Sequence, residues 1–196
     1  SLRQDQLAKF QQRYFRYPIP PKLRRRAAEG FVRSFMRRAY RREVTNEEVG
    51  RVMRLVKVAV DDGGSFEDGI RLAVQAVLIS PHFLFRWELD GAPENPKAIR
   101  SLNEFELASR ISFFLWSSMP DDRLLELAGK AQLRKNLKQE ISRMLSDKKA
   151  EALVGNFTGQ WLQLRNLDIC QPDKKLFPMF TPELREAMRR ETEQFF

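Results

Sequence analysis

Apolar residues recur at spacings of three and four along almost the whole chain, and no stretch alternates apolar with polar residues as a half-buried strand does. That period restricts the chain to helices packed on one another, cut to length by Pro and Gly. A first helix is expected over residues 2–16, with Leu7, Phe10 and Tyr14 on one side, ended by Pro18, Pro20 and Pro21. A second runs from about 22 to 41. Ala28, Phe31, Val32, Phe35 and Ala39 share its apolar face, and Lys22, Arg26, Arg33 and Arg37 lie opposite. Thr45 and Glu48 have the spacing of a capping box, in which each side chain satisfies an orphaned backbone N–H. They open a third helix whose buried stripe is expected to be Val49, Val52, Met53, Val56 and Val60. Asp61-Asp62-Gly63-Gly64 stops it, and Ser65 with Asp68 restarts the chain as a fourth helix, 66–79. That helix is apolar over so much of its circumference that a central position is expected. Pro81 interrupts it, and Phe83 to Trp87 continue as a shorter piece.

The stretch 90–100, rich in Pro, Gly and polar residues, reads as a linker. The expected organisation is therefore an N-terminal helix and Pro-rich connector over 1–21, a first helical subdomain over 22–89, the linker, and a second helical subdomain over 101–196. Ser101 and Glu104 have capping-box spacing ahead of Phe105, Ala108, Ile111, Phe114, Leu115 and Trp116. Pro120, Asp121 and Asp122 open a short helix ending near Gly129. Two more helices are expected over 134–146 and 148–165, then an irregular loop over 166–180. Thr181 and Pro182 start a last helix. The fold class is all-α: about eight helices in two packed subdomains. The last helix runs into Phe195-Phe196 without a stop signal, so the second subdomain is expected to continue in a longer protein.

Composition removes several function classes. A single cysteine, Cys170, cannot build a disulfide framework, and with the one histidine, His82, it cannot fill a zinc site. No run of uncharged apolar residues is long enough to span a membrane. The net charge of +9 is concentrated: 13 of the 35 Lys and Arg residues fall in 1–42, against two of the 26 acids. The basic character belongs to one end of the chain.

Two groups of motifs carry a resemblance. The first is Arg37-Arg38-Ala39-Tyr40-Arg41-Arg42 through Thr45-Asn46-Glu47-Glu48-Val49, then Gly64 to Ile70 and Leu78-Ile79-Ser80-Pro81-His82-Phe83-Leu84-Phe85-Arg86. The second is Leu107 to Trp116, Ser117-Ser118-Met119-Pro120-Asp121, and Asn156-Phe157-Thr158-Gly159-Gln160-Trp161-Leu162. In this order, over residues 30–196, they resemble the adjoining helical domains of unknown function in large planctomycete proteins. The resemblance implies an exported, periplasmic or similar, multidomain parent that often carries a c-type cytochrome domain elsewhere. This chain has no Cys-x-x-Cys-His, so it attaches no haem itself, and no cofactor is expected in it. No catalytic residue is carried over by the resemblance.

The candidate site residues are each weighed against a structural role. Arg25, Arg26, Arg33 and Arg37 could contact a polyanion through counterion release, or only dock on an acidic neighbouring domain. The same arginines also suit a solvated helix face. His82 is the only side chain with an ordinary pKa near neutrality, so histidine acid–base catalysis would have to use it. Without a Ser, Cys or carboxylate motif beside it, a hydrogen-bonding role at the helix break is favoured. Asp121 and Asp122 could act as a carboxylate pair, yet at a helix start they suit capping. The carboxylates of 61–68 lack the spacing of a calcium loop and read as stop and cap. Trp161 could stack on a sugar, although core packing is preferred, with Gly155 and Gly159 allowing close helix approach. Cys170 sits in a polar loop with Lys174 and Lys175 nearby, and reads as unreactive.

These readings favour a scaffold or interaction module whose partners are other domains of its parent. A fragment of a polymer-degrading or oxidoreductive enzyme, completed by regions outside this chain, and a polyanion binder are the alternatives.

Overall fold

The computed structural model describes residues 20–86, 88, 94–95 and 99–195. The helix expected over 2–16, Trp87, most of the linker and Phe196 lie outside the described residues. Among the described residues the chain is helical without strands. It divides into two compact units at Leu102/Asn103.

The first unit holds three long helices: α1 (Pro21–Tyr40), α2 (Asn46–Asp61) and α3 (Phe66–Leu78). The apolar period of α1 buries Ala28, Val32, Met36 and Ala39 against Val49, Val52 and Val56 of α2 and Ile70, Ala73 and Val77 of α3. Phe31 and Phe35 stack at 5.9 Å on the flank of this core. Both predicted capping boxes form. Thr45 Oγ1 accepts from the Glu48 N–H and Glu48 Oε2 from the Thr45 N–H, and Ser65 and Asp68 repeat the exchange. Gly69 is required where α3 crosses α2, because a Cβ there would sit 2.9 Å from Val56.

One expectation for this unit fails and another is met in part. Val60 is 43 % exposed, because α2 turns it away near its last turn. The helix expected to be central, 66–79, is α3; it packs against both α1 and α2 but is covered on one side only. Ile70, Ala73 and Val77 are buried while Leu72 and Leu78 face outward, since a three-helix unit covers only one side of each helix.

The second unit is built on α4 (Glu104–Trp116), α5 (Asp122–Gly129), α6 (Leu137–Leu145) and α7 (Pro182–Phe195). Ala108, Leu115 and Trp116 pack with Leu124, Ala128, Leu133 and Met144. The capping box lies two residues beyond its predicted place. Asn103 and not Ser101 caps α4, exchanging hydrogen bonds with Glu106 at 2.8 and 2.9 Å. This register leaves Glu104 in the first turn, where its carboxylate accepts from the Arg134 N–H at 3.0 Å.

The helix expected over 148–165 is not one α-helix. It passes from a 3-10 turn (Lys148–Ala150) through an α turn (Glu151–Leu153) and a π-helical stretch (Val154–Thr158) to another α turn (Gly159–Trp161). Gly155 and Gly159 are poor helix formers and weaken the α register here. A Cβ at either glycine would meet nothing within 4 Å, so the close approach predicted for them is not made. Residues 166–180 include a short helical turn, Asn166–Ile169, and Thr181 caps α7 as expected.

Candidate functional site

In each unit the sequence motifs that are far apart in the chain meet, and polar side chains join them.

In the first unit the meeting point is Arg41. It closes α1 in the left-handed region, φ 56°, and is 8 % exposed. Its Nη1 donates to the Ala39 carbonyl at 2.8 Å, and its Nη2 to those of His82 at 3.1 Å and Phe85 at 2.9 Å. The end of α1 is thereby tied to the turn Pro81–Leu84. Burial, with the nearby Arg86 charge, lowers the Arg41 pKa.

Beside it, Arg42 clasps Glu48 with two hydrogen bonds, 2.7 and 3.1 Å. That ion pair is the main cause that holds the Glu48 carboxyl at about 2, against the opposing effect of burial and with help from the Thr45 N–H. His82 lies at this cluster with an exposed side chain. Its ring stands 5.2 Å from that of Tyr40, and its backbone N–H donates to Ser80 Oγ.

In the second unit a buried carboxylate is the centre. Glu140 has no exposed surface, and its Oε1 accepts from Arg123 Nε and Nη2 at 2.8 and 2.6 Å. Its Oε2 accepts from Arg143 Nε at 2.8 Å. Arg143 Nη1 continues to Asp121 Oδ2 at 2.8 Å, while Asp121 Oδ1 caps α5 by accepting from the Leu124 N–H at 2.9 Å. Burial pushes the Glu140 carboxyl up, but the two guanidinium groups outweigh it, so its pKa lies below the usual range. Arg143 Cζ is 5.5 Å and Lys149 Nζ 4.5 Å from the ring of Trp116, whose Nε1 donates to the Met144 carbonyl at 2.9 Å. Cation–π attraction thus extends the network onto the core tryptophan.

A second motif junction lies at the end of α4. Ser117 caps it in the left-handed region, φ 50°, and its Oγ accepts from Asn156 Nδ2 at 2.7 Å. The π-helical stretch is held there, and three rings form a row: Phe114 to Phe157 at 5.6 Å and Phe157 to Trp161 at 6.0 Å. All three rings are on the surface, Trp161 most of all at 62 % exposure. Trp161 therefore does not fill the core as expected. The slot against α6 is taken by Trp116.

The remaining candidates are placed as follows. Asp121 carries the cap, and Asp122 lies in the first turn of α5. His82 belongs to the other unit. Arg33 bonds Asn46 at 2.8 Å and faces Glu29 at 3.6 Å, and Arg37 pairs with Glu43 at 2.8 Å. Arg25 and Arg26 are exposed. Cys170 is exposed, and its carbonyl accepts from Arg185. Asp61 pairs with Lys57, and Gly63 takes φ +86°, so the 61–68 loop is a helix stop followed by a cap. Among the described residues no group of three His, Cys, Asp or Glu side chains is arranged to hold a metal ion. Likewise, no described helix is long and apolar enough to cross a membrane.

Sequence reasoning missed Arg41, Arg123, Glu140 and Arg143. A signal for Glu140 was present: it shares the three–four spacing of Leu137, Ile141 and Met144, so it is an acid on an apolar stripe.

Comparison with known families agrees with the two-unit division. Residues 27–88 match the family described as PSD5: Protein of unknown function (DUF1595), and residues 102–196 match PSD4: Protein of unknown function (DUF1592). No match was found among the curated proteins or the solved structures.

Proposed function

We propose that the chain is a helical scaffold and interaction module of a larger exported, redox-associated protein. The observation that carries this reading is the use made of the candidate catalytic carboxylate. One oxygen of Asp121 caps a helix, and the other takes an arginine that is itself tied to the buried Glu140. A general base needs an oxygen within reach of a substrate proton, and both oxygens of Asp121 are already engaged inside the unit. His82 sits where its backbone carbonyl holds Arg41. The exported setting, and a c-type haem elsewhere in the parent, follow from the resemblance to planctomycete multidomain proteins. The other domains of that parent are the proposed partners.

The test uses the full-length parent. Asp121→Asn is expected to lower the melting temperature, and His82→Ala and Asp121→Asn are both expected to leave any turnover of the folded protein unchanged. A folded His82→Ala or Asp121→Asn protein whose turnover collapses would establish the enzyme reading instead. Cell fractionation and the haem absorbance of the parent check the exported and redox assignments.

A second reading, polyanion binding, is favoured by the exposure of Lys22, Arg25 and Arg26 on α1. Heparin affinity that falls steeply with salt, and falls further in Arg25→Ala/Arg26→Ala, supports it. No affinity at low salt ends it.

A further inference from the structure

We infer that the ring row Phe114–Phe157–Trp161 of the second unit is a binding platform for a neutral saccharide chain. The inference rests on reading the chain as a module that binds rather than catalyses, and it names what one face of that module binds.

Charge is the first argument. Charged residues make up 31 % of the chain, yet residues 152–164 contain none. Within that run Gly155, Asn156, Phe157, Gln160, Trp161, Leu162 and Gln163 are all exposed. A solvent-facing stretch with no charge of its own complements an uncharged partner better than a phosphate, a sulfate or an anionic lipid headgroup.

A pyranose ring has an apolar face of C–H bonds and a rim of hydroxyls. An aromatic ring presents a negative π face to those C–H bonds, and neighbouring side-chain amides both donate to and accept from hydroxyls. Phe157 and Trp161 lie within 26° of parallel, with 48 % and 62 % of their surfaces exposed. Gln160 is exposed beside them. Gln163 is steadied by Asn166, whose Nδ2 donates to its Oε1 at 2.9 Å, so the Gln163 amino group keeps its donors.

Size and rigidity point the same way. Three rings, each roughly 150–250 Å² when whole and about half exposed here, present a few hundred Å². A stable protein partner uses about 800 Å² per side. The row suits a narrow, repeating ligand better than a folded domain. The Asn156–Ser117 bond and the Phe114–Phe157 edge contact fix the rings in advance, which lowers the ordering cost of binding.

The test is calorimetric titration of the whole chain with cellohexaose, xylohexaose and maltohexaose. At least one is expected to bind saturably, with an affinity the same at low and high salt. Trp161→Ala and Phe157→Ala are each expected to weaken binding by about tenfold or more, as for central aromatic anchors. Trp161→Phe should recover part of the loss. Thermal melts of each variant confirm folding, and a variant that unfolds is replaced by Trp161→Leu. Binding to none of the three sugars, equal binding by folded Trp161→Ala, or binding confined to heparin and abolished by salt would each overturn the inference. Those failures leave the scaffold reading intact, because that reading is decided separately by the turnover of the Asp121 and His82 variants.

Discussion

In the first unit the buried ion is a cation, Arg41, whose guanidinium donates to the carbonyls of Ala39, His82 and Phe85. In the second it is an anion, Glu140, whose partners are two guanidinium groups. Both ions hold distant segments together, but they respond differently to perturbation. The carbonyl partners of Arg41 do not titrate, and several belong to exposed residues that water can reach. The partners of Glu140 are charged, and the carboxylate itself has no exposed surface, although Arg123 reaches solvent. A missing arginine in the first unit leaves acceptors that water can satisfy. A missing carboxylate in the second leaves a guanidinium cluster with no counter-charge at its centre.

The largest effect is therefore expected at Glu140. Glu140→Ala should destabilise the second unit by about 3 kcal/mol, the low end of the range for breaking a buried pair, because Arg123 is half exposed and Arg143 keeps Asp121. Trp116, which packs under Arg143 and Lys149, makes the loss visible as a fluorescence change on urea unfolding. Replacement of the whole group by apolar residues, Arg123→Leu/Glu140→Leu/Arg143→Leu, should recover much of that loss. A Glu140→Ala protein as stable as the parent would erase the contrast between the units.

Acid tests the same comparison within the first unit. The folded pKa of Glu48, about 2, lies below its ordinary 4.5, so the folded state binds fewer protons than the unfolded state at mildly acid pH. The stabilisation is complete above about 4.5 and disappears as pH falls through about 2. At about 1.4 kcal/mol per pKa unit it reaches up to about 3 kcal/mol. Glu140, also depressed, adds a loss of the same sign in the second unit. Glu48→Gln should flatten the acid limb of the first unit's unfolding curve.

Arg41→Met should cost about 2 kcal/mol, in the range of hydrogen bonds made by a charged donor. Arg41→Lys should recover only part, because a lysine ammonium lacks the planar fork that spans the Ala39, His82 and Phe85 carbonyls. Hydrogen exchange at Phe85, whose N–H closes the Pro81 turn at 2.9 Å, reads the loosening locally. Protection there that survives Arg41→Met would show that packing, and not the arginine, holds the turn.

The two units also differ in how far the sequence disclosed them. In the first, period and caps agree. The stripe of α1 and the Thr45 and Ser65 boxes all point one way, and the helices form where local chemistry places them. The failure there, Val60, came from treating a helical stripe as buried to its end, whereas only a neighbouring helix can cover it. In the second, the broken segment over 148–161 was hidden because its 3-10, α and π pieces are each only three to five residues long, too short for their different periods to show in the apolar pattern. Its outward tryptophan was hidden because Trp116 and Trp161 are equally good core residues by composition. The contact of Met144 with the Trp116 indole decides between them, and that contact is tertiary. Glu140 was the opposite case, an acid whose placement on an apolar stripe announced a buried pair, although the identity of its arginines depended on the fold.

The smallest effect concerns a register the sequence left open between two frames. Ser101-x-x-Glu104 and Asn103-x-x-Glu106 both have the spacing of a capping box, and both precede the same apolar stripe. The second is selected because it does two things at once. Asn103 and Glu106 satisfy each other's N–H groups, and Glu104, freed from capping, accepts from the Arg134 N–H on the far side of the unit. In the Ser101 frame the Arg134 N–H would lose that partner. Asn103→Ala should therefore cost about 1 kcal/mol, the usual size of a lost N-cap, and Ser101→Ala should cost nothing measurable. Glu104→Gln should weaken the Arg134 contact without moving the helix start. If Ser101→Ala proved the more damaging of the pair, α4 would begin two residues earlier in solution, and the Glu104–Arg134 bond could not be what sets its register.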